Sequence, residues 1–195
     1  MPTSPPPLIL ASTSRYRREL LGRLGLPFTA LAPGVDEAHR KESPIERAVR
    51  LAAAKAEAIS LQNPGALVIG SDQVAACGDL ILDKPGTPER AREQLAGLSG
   101  QTALFHTAVA LRRQETSFRV DHLDTVSVVY RELSAAEIAG YVERERPLDC
   151  SASLRSEGLG IALLSSIDSR DPTSLIGLPL IWLSGVLRQS GYHLF

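Results

Sequence analysis

Hydroxyl and guanidinium groups are concentrated where the first apolar run of the chain ends. Ser12 and Ser14 follow the apolar run 8–11, and Arg17 and Arg18 come a few residues later. The pattern predicts a buried strand that leads into a helix capped by Ser or Thr. Backbone N–H groups and the positive end of the helix dipole would then face the same place as the hydroxyls and guanidiniums, an arrangement that suits a phosphate. An ordinary strand–helix turn with solvated arginines is the alternative.

Three carboxylates, Asp36, Glu37 and Asp72, come where an apolar stretch has just ended, and we expect each of them to follow the end of a strand. In open α/β sheets, ligands gather outside the carboxyl ends of strands. Carboxylates near a phosphate are natural Mg²⁺ ligands, because this hard ion prefers oxygen ligands and binds protein carboxylates and substrate phosphates at the same time. One of the three could instead deprotonate a water. The alternative is that they cap turns.

Three cationic side chains, Lys55, Lys84 and Arg155, could neutralise a polyphosphate, because hydrolysis of a phosphoanhydride builds negative charge on the attacked and leaving oxygens. An exposed turn lysine before a proline is the alternative for Lys84. The chain has no P-loop, no G-x-G-x-x-G and no G-x-S-x-G. Walker ATPases, Rossmann oxidoreductases and α/β-hydrolases are therefore disfavoured.

Charge and cysteine content restrict the partners and the compartment. The net charge of −1 gives no bulk attraction to nucleic acid or to an anionic membrane, so any anion site must be local. Cys77 and Cys150 lack C-x-x-C spacing, which favours buried or half-buried thiols in a reducing compartment. No apolar run approaches the roughly 20 residues that cross a bilayer, and the first is too short for a signal peptide. We therefore expect a cytoplasmic protein that binds neither nucleic acid nor membrane.

The elements that must position these residues alternate between strands and helices. Capping boxes predict two of the helices, and a threonine followed by proline predicts a third. The expected strands are at 8–11, 66–70, 102–111 and 118–130. The expected helices open after the hydroxyl residues 12–14, after Ser43, Thr87 and Ser134, and near Leu178. This order predicts the α/β class with a mixed sheet. We expect a single domain over residues 8–195, preceded by a mobile proline-rich tail at 1–7.

Seven short segments carry a more specific signal, in order from about residue 8 to 190. They are Ser12-x-Ser14-x-x-Arg17-x-x-Leu20-Leu21, Val35-Asp36-Glu37, Lys55-Ala56, Gly70-Ser71-Asp72-Gln73-Val74, Lys84-Pro85, Ser156-Glu157-Gly158 and Gly177-Leu178-Pro179. Together they resemble the Maf nucleotide pyrophosphatases. One such segment would be weak evidence, whereas seven in register are specific.

The resemblance implies an elongated mixed sheet with two lobes around a central cleft, the inosine-triphosphate-pyrophosphatase type of α/β fold. It implies hydrolysis of a nucleoside triphosphate to the monophosphate and pyrophosphate by a homodimer that needs Mg²⁺ or Mn²⁺. The aspartate that matches Asp72 is the family's usual general base, and Glu37 with Asp72 would hold the metal. The other positions implied for the phosphate and metal site are Ser12, Ser14, Arg17, Lys55 and Lys84.

Three positions resemble one branch of that family more than another. The branch that acts on dTTP and UTP tends to carry Arg, Ala-Asp-Thr and Gln-Gly where this chain has Tyr16, Ser71-Asp72-Gln73 and Glu157-Gly158. The branch that acts on 7-methyl-GTP carries an aromatic residue, Gln and Glu. N7-methylation makes guanine cationic, so an aromatic face and a carboxylate both favour it. Arg155 stands where that branch has Lys, which keeps the charge and changes the donor geometry.

Two alternatives stay open beside a 7-methyl-GTP pyrophosphatase that clears a modified nucleotide. One is a dTTP/UTP pyrophosphatase of the same family. The other is a non-catalytic nucleotide-binding regulator of cell division, since Maf proteins are also associated with inhibition of septum formation. Retention of Asp72, Glu37 and both candidate lysines favours turnover, because a binding protein needs no positioned base.

Overall fold

The computed structural model describes residues 5–195, so the predicted mobile tail at 1–7 lies mostly outside the described residues. The described end of this segment is hydrogen-bonded. The carbonyl of Pro6 accepts from the Tyr192 hydroxyl at 2.7 Å, and the carbonyl of Pro7 accepts from the amide of Leu67 at 2.9 Å. A single domain that begins at residue 8 stays a prediction.

The described residues form a mixed sheet with helices, as the sequence predicts. The strands are β1 (Leu8–Ala11), β2 (Thr29–Leu31), β3 (Leu67–Cys77), β4 (Leu80–Ile81), β5 (Thr102–Arg113), β6 (Phe118–Tyr130) and β7 (Leu164–Asp168). The helices are α1 (Arg15–Gly22), α2 (Pro44–Gln62), α3 (Pro88–Leu98), α4 (Ala135–Glu145) and α5 (Leu180–Gln189). The strand order is β2-β1-β3-β5-β6-β7, and β4 pairs with β3. β1 is parallel to β2 and β3, whereas β3–β4 and β6–β7 are antiparallel.

Side-chain caps confirm the predicted starts of α1, α2 and α4. Ser14 Oγ accepts a hydrogen bond from the amide of Arg17 at the start of α1. Ser43 and Ser134 each form a complete capping box with the glutamate three residues later. These caps satisfy backbone N–H groups that have no partner within the helix, and they fix where each helix begins.

The two faces of β1 explain why its four residues are all buried. Leu8 and Leu10 pack with residues of α1 and α5, and Ile9 and Ala11 pack in a second cluster with Ile59 of α2. Alternate residues of a strand point to opposite faces, so a strand covered on both faces reads as a continuous apolar run. β3 follows the same alternation, because Leu67 and Ile69 join the first cluster and Val68 joins the second.

The expectation that the three carboxylates directly follow strand ends is wrong. β3 runs from Leu67 to Cys77, so Asp72 lies inside the strand, and β2 ends at Leu31, ahead of Asp36 and Glu37. The apolar run in β3 stops early because buried polar residues continue the strand. β3 pairs with β1 over residues 67–70 and with β4 over residues 76–77, and backbone hydrogen bonds of this kind do not depend on side-chain polarity.

The chain divides into two compact units. The first contains the described residues up to Asp72, with Thr107–Asp124 and Asp171–Phe195, and the second contains Gln73–His106 and Thr125–Arg170. The predicted thiols are confirmed, since neither Cys77 nor Cys150 is in a disulfide and Cys150 is buried. None of the helices within residues 5–195 has the length and apolar character that a bilayer crossing requires.

Candidate active site

A glycine in β3 determines how closely α2 approaches the strand. A Cβ on Gly70 would lie 2.3 Å from the carbonyl oxygen of Ala52 and 2.5 Å from the amide nitrogen of Ala56, both in α2. Only glycine permits this approach, because such distances are far inside van der Waals contact. Asp72 is two residues further along β3 and therefore faces the same side of the strand as Gly70, towards α2.

Lys55 of α2 lies between two of the predicted carboxylates. Its Nζ is 2.7 Å from Oδ1 of Asp72 and 2.8 Å from Oε1 of Glu37. Lys55 and Asp72 are 6% and 7% exposed, whereas the Glu37 side chain is 55% exposed. The charges of Lys55 and Asp72 are therefore largely removed from water and paired with each other, and Glu37 reaches the same ammonium from the solvent side.

The hydroxyls at the start of α1 make local hydrogen bonds. Ser12 Oγ accepts from the amide of Ser14 at 3.1 Å, and Ser14 Oγ accepts from the amide of Arg17 at 3.4 Å. Ser12 is buried and Ser14 is half-buried. The structure therefore places both hydroxyls at the N-terminus of α1, the end where a helix attracts anions.

One backbone carbonyl joins Arg17 to β3. The carbonyl oxygen of Gly177 accepts from Arg17 Nε at 3.1 Å and from Ser71 Oγ at 3.0 Å. Gly177 has a φ of 127°, and a Cβ there would lie 3.3 Å from Arg17 Nε, so glycine suits both the conformation and the contact. The guanidinium is thereby held by its Nε.

The electrostatic surroundings of Arg17 come from burial and from two acidic neighbours. Burial lowers the pKa of the Arg17 guanidinium from its ordinary value, and the carboxylates of Asp72 and Glu37 oppose this. Arginine has so high a pKa that it stays charged. Within the first unit the structure thus brings Ser12, Ser14 and Arg17 to one helix start, and Glu37, Lys55 and Asp72 to one ion-paired group.

The second unit holds four of the other predicted residues. Arg155 Nη1 is 2.7 Å from Glu145 Oε1, and Arg155 Nε is 3.5 Å from Glu157 Oε1. Gln73 is half-buried on β3, and Lys84 is exposed in the segment that follows β4. Arg155 and Glu157 are therefore together, whereas the roles of Gln73 and Lys84 stay predictions.

Tyr16 of α1 already has a cation on its ring. The guanidinium carbon of Arg15 lies 4.7 Å from the ring centroid, and Arg15 Nη2 donates to the Tyr16 hydroxyl at 2.6 Å. The ring faces of tyrosine carry negative electrostatic potential, which is why a guanidinium stacks there. A second cation would have to use the opposite face.

Sequence reasoning missed three residues that organise these groups. Gly70 and Ser71 belong to one of the segments that resemble the Maf family. Their spacing in the sequence reveals neither the close approach of α2 to Gly70 nor the Gly177 carbonyl that Ser71 shares with Arg17. Glu145 gave no signal, because a glutamate at the end of a helix is ordinary and its partner Arg155 is ten residues away.

Comparison with known proteins identifies the family. The family model described as Maf-like protein matches residues 7–190. The chain belongs to the Maf family. A relative from Polaromonas sp. (strain JS666 / ATCC BAA-500) is 52% identical over 195 residues, which cover 100% of this chain and 89% of the relative. It is named 7-methyl-GTP pyrophosphatase.

Two further Maf relatives carry the same name. One from Xanthomonas oryzae pv. oryzae (strain MAFF 311018) is 51% identical over 97% of this chain and 99% of the relative. One from Nitrosococcus oceani is 47% identical over 97% of this chain and 96% of the relative. Among solved structures, the Staphylococcus aureus Ham1 protein is similar with a TM-score of 0.54 at 17% identity, covering 93% of this chain and 98% of that one. The predicted fold class, a mixed α/β sheet of the inosine-triphosphate-pyrophosphatase type, is confirmed.

Proposed function

We propose that this Maf protein hydrolyses 7-methyl-GTP to 7-methyl-GMP and pyrophosphate. The observation that carries the proposal is about 50% identity, over almost the whole chain, to proteins named for that reaction. Tyr16, Gln73 and Glu157 support the same substrate, because they are the residues expected at the three positions that separate this branch from the dTTP and UTP branch.

The triphosphate would be bound at the start of α1. Arg17 is fixed through Nε by the Gly177 carbonyl, so its terminal nitrogens are the ones directed to the substrate. A guanidinium recognises phosphate oxygens through paired hydrogen bonds, and the helix N-terminus adds a favourable dipole. Ser12 and Ser14 at the same helix start would add hydroxyl contacts, and Lys84 stays a further phosphate ligand that the family resemblance implies.

Asp72 would act as the general base. Lys55 donates to Asp72 Oδ1, which orients the carboxylate and leaves Oδ2 for the attacking water. The water oxygen bonds to the α-phosphorus while the bond from that phosphorus to the bridging oxygen of the β-phosphate breaks. The proton of the water passes to Asp72, and pyrophosphate leaves.

Glu37 and Asp72 fit a Mg²⁺ or Mn²⁺ site that is completed by the substrate. Both carboxylates contact the same ammonium, so they are close enough to share a cation. Within residues 5–195, no group of three or more His, Cys, Asp or Glu side chains could hold a metal by itself. Mg²⁺ needs only one or two protein carboxylates when water and phosphate oxygens fill its other positions. The ion would neutralise charge on the triphosphate.

The base would be selected by charge. A 7-methylguanine ring is cationic, so the aromatic ring of Tyr16 and the carboxylate of Glu157 both favour it over guanine. We further propose that the enzyme is a cytoplasmic homodimer that acts on free nucleotides, with no nucleic-acid or membrane partner. The two cysteines outside disulfides support a reducing compartment.

Pyrophosphate release from 7-methyl-GTP, GTP, dTTP and UTP tests the proposal, with each reaction run in Mg²⁺ and in excess chelator. We expect kcat/KM for 7-methyl-GTP to exceed that for GTP about ten- to a hundredfold, with smaller values for the pyrimidines. Chromatography should show 7-methyl-GMP as the nucleotide product. Equal turnover of dTTP or UTP would contradict the substrate and favour the pyrimidine branch, and absence of all turnover would favour a regulator.

A further inference from the structure

The end of α4 holds the segment that contains Glu157 by two side chains. Tyr141 and Glu145 are one helical turn apart and lie on the same face of α4. The Tyr141 hydroxyl donates to the carbonyl of Ser153 at 3.1 Å and accepts from the amide of Arg155 at 3.0 Å. Burial raises the pKa of Tyr141, so this hydroxyl keeps its proton and can serve as a donor. The backbone before Glu157 is therefore fixed to the helix.

Glu145 fixes the same segment on the other side of Glu157. Its Oε1 accepts from Arg155 Nη1 at 2.7 Å, and its Oε2 accepts from the amide of Leu159 at 2.7 Å. A Cβ on Gly158 would lie 2.7 Å from both carboxylate oxygens, so the glycine lets the carboxylate rest against the backbone. Both oxygens of Glu145 are thus engaged by the segment that carries Glu157.

Arg155 lies between two carboxylates. Its Nε is 3.5 Å from Oε1 of Glu157, and its Nη1 bonds to Glu145. The Glu145 side chain is 10% exposed and that of Glu157 is 25% exposed, so water screens these charges incompletely. The charges of Glu145, Arg155 and Glu157 sum to one net negative charge. Without Glu145, the charges of Arg155 and Glu157 would cancel each other.

We propose that Glu145 is a positioning residue that makes Glu157 selective for a cationic base. Glu145 holds Arg155 beside Glu157, and its negative charge compensates the positive charge of Arg155. The negative charge of Glu157 therefore remains available to attract the nucleotide base. Arg155 is accordingly a support of the base-reading carboxylate and not a phosphate ligand. The inference rests on the proposed function and assigns to it a residue outside the segments that resemble the family.

The first test is Glu145→Gln. The amide oxygen of the variant can still accept a hydrogen bond from the backbone amide of Leu159, but the negative charge is lost. The ratio of kcat/KM for 7-methyl-GTP to that for GTP should therefore fall about three- to tenfold, mainly through KM. Glu137→Gln is the matched control. Glu137 lies on the same helix, caps it and pairs with Arg131 at 2.8 Å, so this variant should lower Tm and leave the substrate ratio unchanged. Equal ratios in wild type and Glu145→Gln would overturn the proposal.

A double variant separates charge compensation from general damage to the fold. In a Glu157→Gln background, Glu145→Gln should cause no further fall in the ratio, because the carboxylate that it assists is gone. The same fall in both backgrounds would overturn the proposal. The wild-type ratio is measured first. Failure to prefer 7-methyl-GTP contradicts the proposed function, whereas a normal wild-type preference that survives Glu145→Gln contradicts only the role of Glu145.

Arg155→Met keeps the test decisive if Glu145→Gln does not fold. Without the Arg155 guanidinium to position Glu157, kcat/KM should fall for 7-methyl-GTP and GTP. It should not fall for the slow reactions with dTTP and UTP. The ratio of 7-methyl-GTP to GTP should not fall, because the cluster becomes more negative. An equal loss with all four triphosphates would make Arg155 a phosphate ligand and overturn the proposal.

Discussion

Lys55 Nζ lies 2.7 Å from Asp72 Oδ1, and both side chains are buried. The lysine comes from α2 and the aspartate from the interior of β3. A buried charge pair is tolerated because each charge offsets the desolvation of the other, and removal of one partner leaves the other uncompensated. The pair therefore couples the candidate base to the packing of the helix on the strand.

Asp72→Asn should lower kcat by roughly 10²–10⁴, because the amide keeps the shape of the carboxylate and loses its basicity. The amide oxygen can still accept a hydrogen bond from Lys55, whose charge stays paired with Glu37, so folding and nucleotide binding should largely persist. Steady-state kinetics and equilibrium binding of 7-methyl-GTP measure the two effects separately. A kcat near that of the wild type would remove Asp72 from the role of base.

Lys55→Met should lower the free energy of unfolding by about 3 kcal/mol, because it leaves Asp72 charged and buried without its partner. Denaturant unfolding measures the change. Lys41→Met is the control, since Lys41 is exposed in the loop before α2, and its loss should change stability by less than about 0.5 kcal/mol. Equal stabilities for the two variants would show that the buried pair has no net effect.

Glu37→Gln should raise the concentration of Mg²⁺ or Mn²⁺ needed for half-maximal rate, because an amide is a weaker ligand for a hard cation than a carboxylate. The saturated rate should fall less than the apparent metal affinity. Titration of the rate with each metal provides the measurement. Full activity in excess chelator would contradict both the metal requirement and the part assigned to Glu37.

Gly70→Ala should destabilise the protein by about 3 kcal/mol and lower activity, because the added methyl group would meet the backbone of α2 and push the helix with Lys55 away from Asp72. Gly97→Ala is the matched control. It lies in α3, and its Cβ would meet nothing within 4 Å, so alanine there should be neutral or slightly stabilising. Thermal unfolding and kcat of the two variants are compared, and similar values would refute the close-packing argument.

Tyr16→Arg should weaken the preference for 7-methyl-GTP and move the enzyme towards dTTP and UTP, because the guanidinium repels a cationic ring and the aromatic face is lost. The loss of cation–π attraction corresponds to about 1–2 kcal/mol, or roughly five- to thirtyfold in kcat/KM. Tyr16→Phe retains the ring and should keep most of the preference. An unchanged substrate ratio in Tyr16→Arg would exclude Tyr16 from base selection.

Most of the secondary structure could be predicted from local patterns, because caps and apolar periodicity act within a few residues. The capping boxes at Ser43 and Ser134 give the starts of α2 and α4. The end of β3 could not be predicted in this way. Its polar residues Ser71, Asp72 and Gln73 resemble a loop in sequence, whereas the strand continues past them and pairs with β4.

Residue types at short or fixed spacings are enough to predict the α/β class, most helix starts and the family. Only the folded chain shows that Asp72 faces Lys55 inside a strand and that the carbonyl of Gly177 accepts from Arg17. The same holds for the contacts of Arg155 with Glu145 and Glu157. These contacts join side chains on different elements, and the packing of the elements brings them together, which no local spacing encodes.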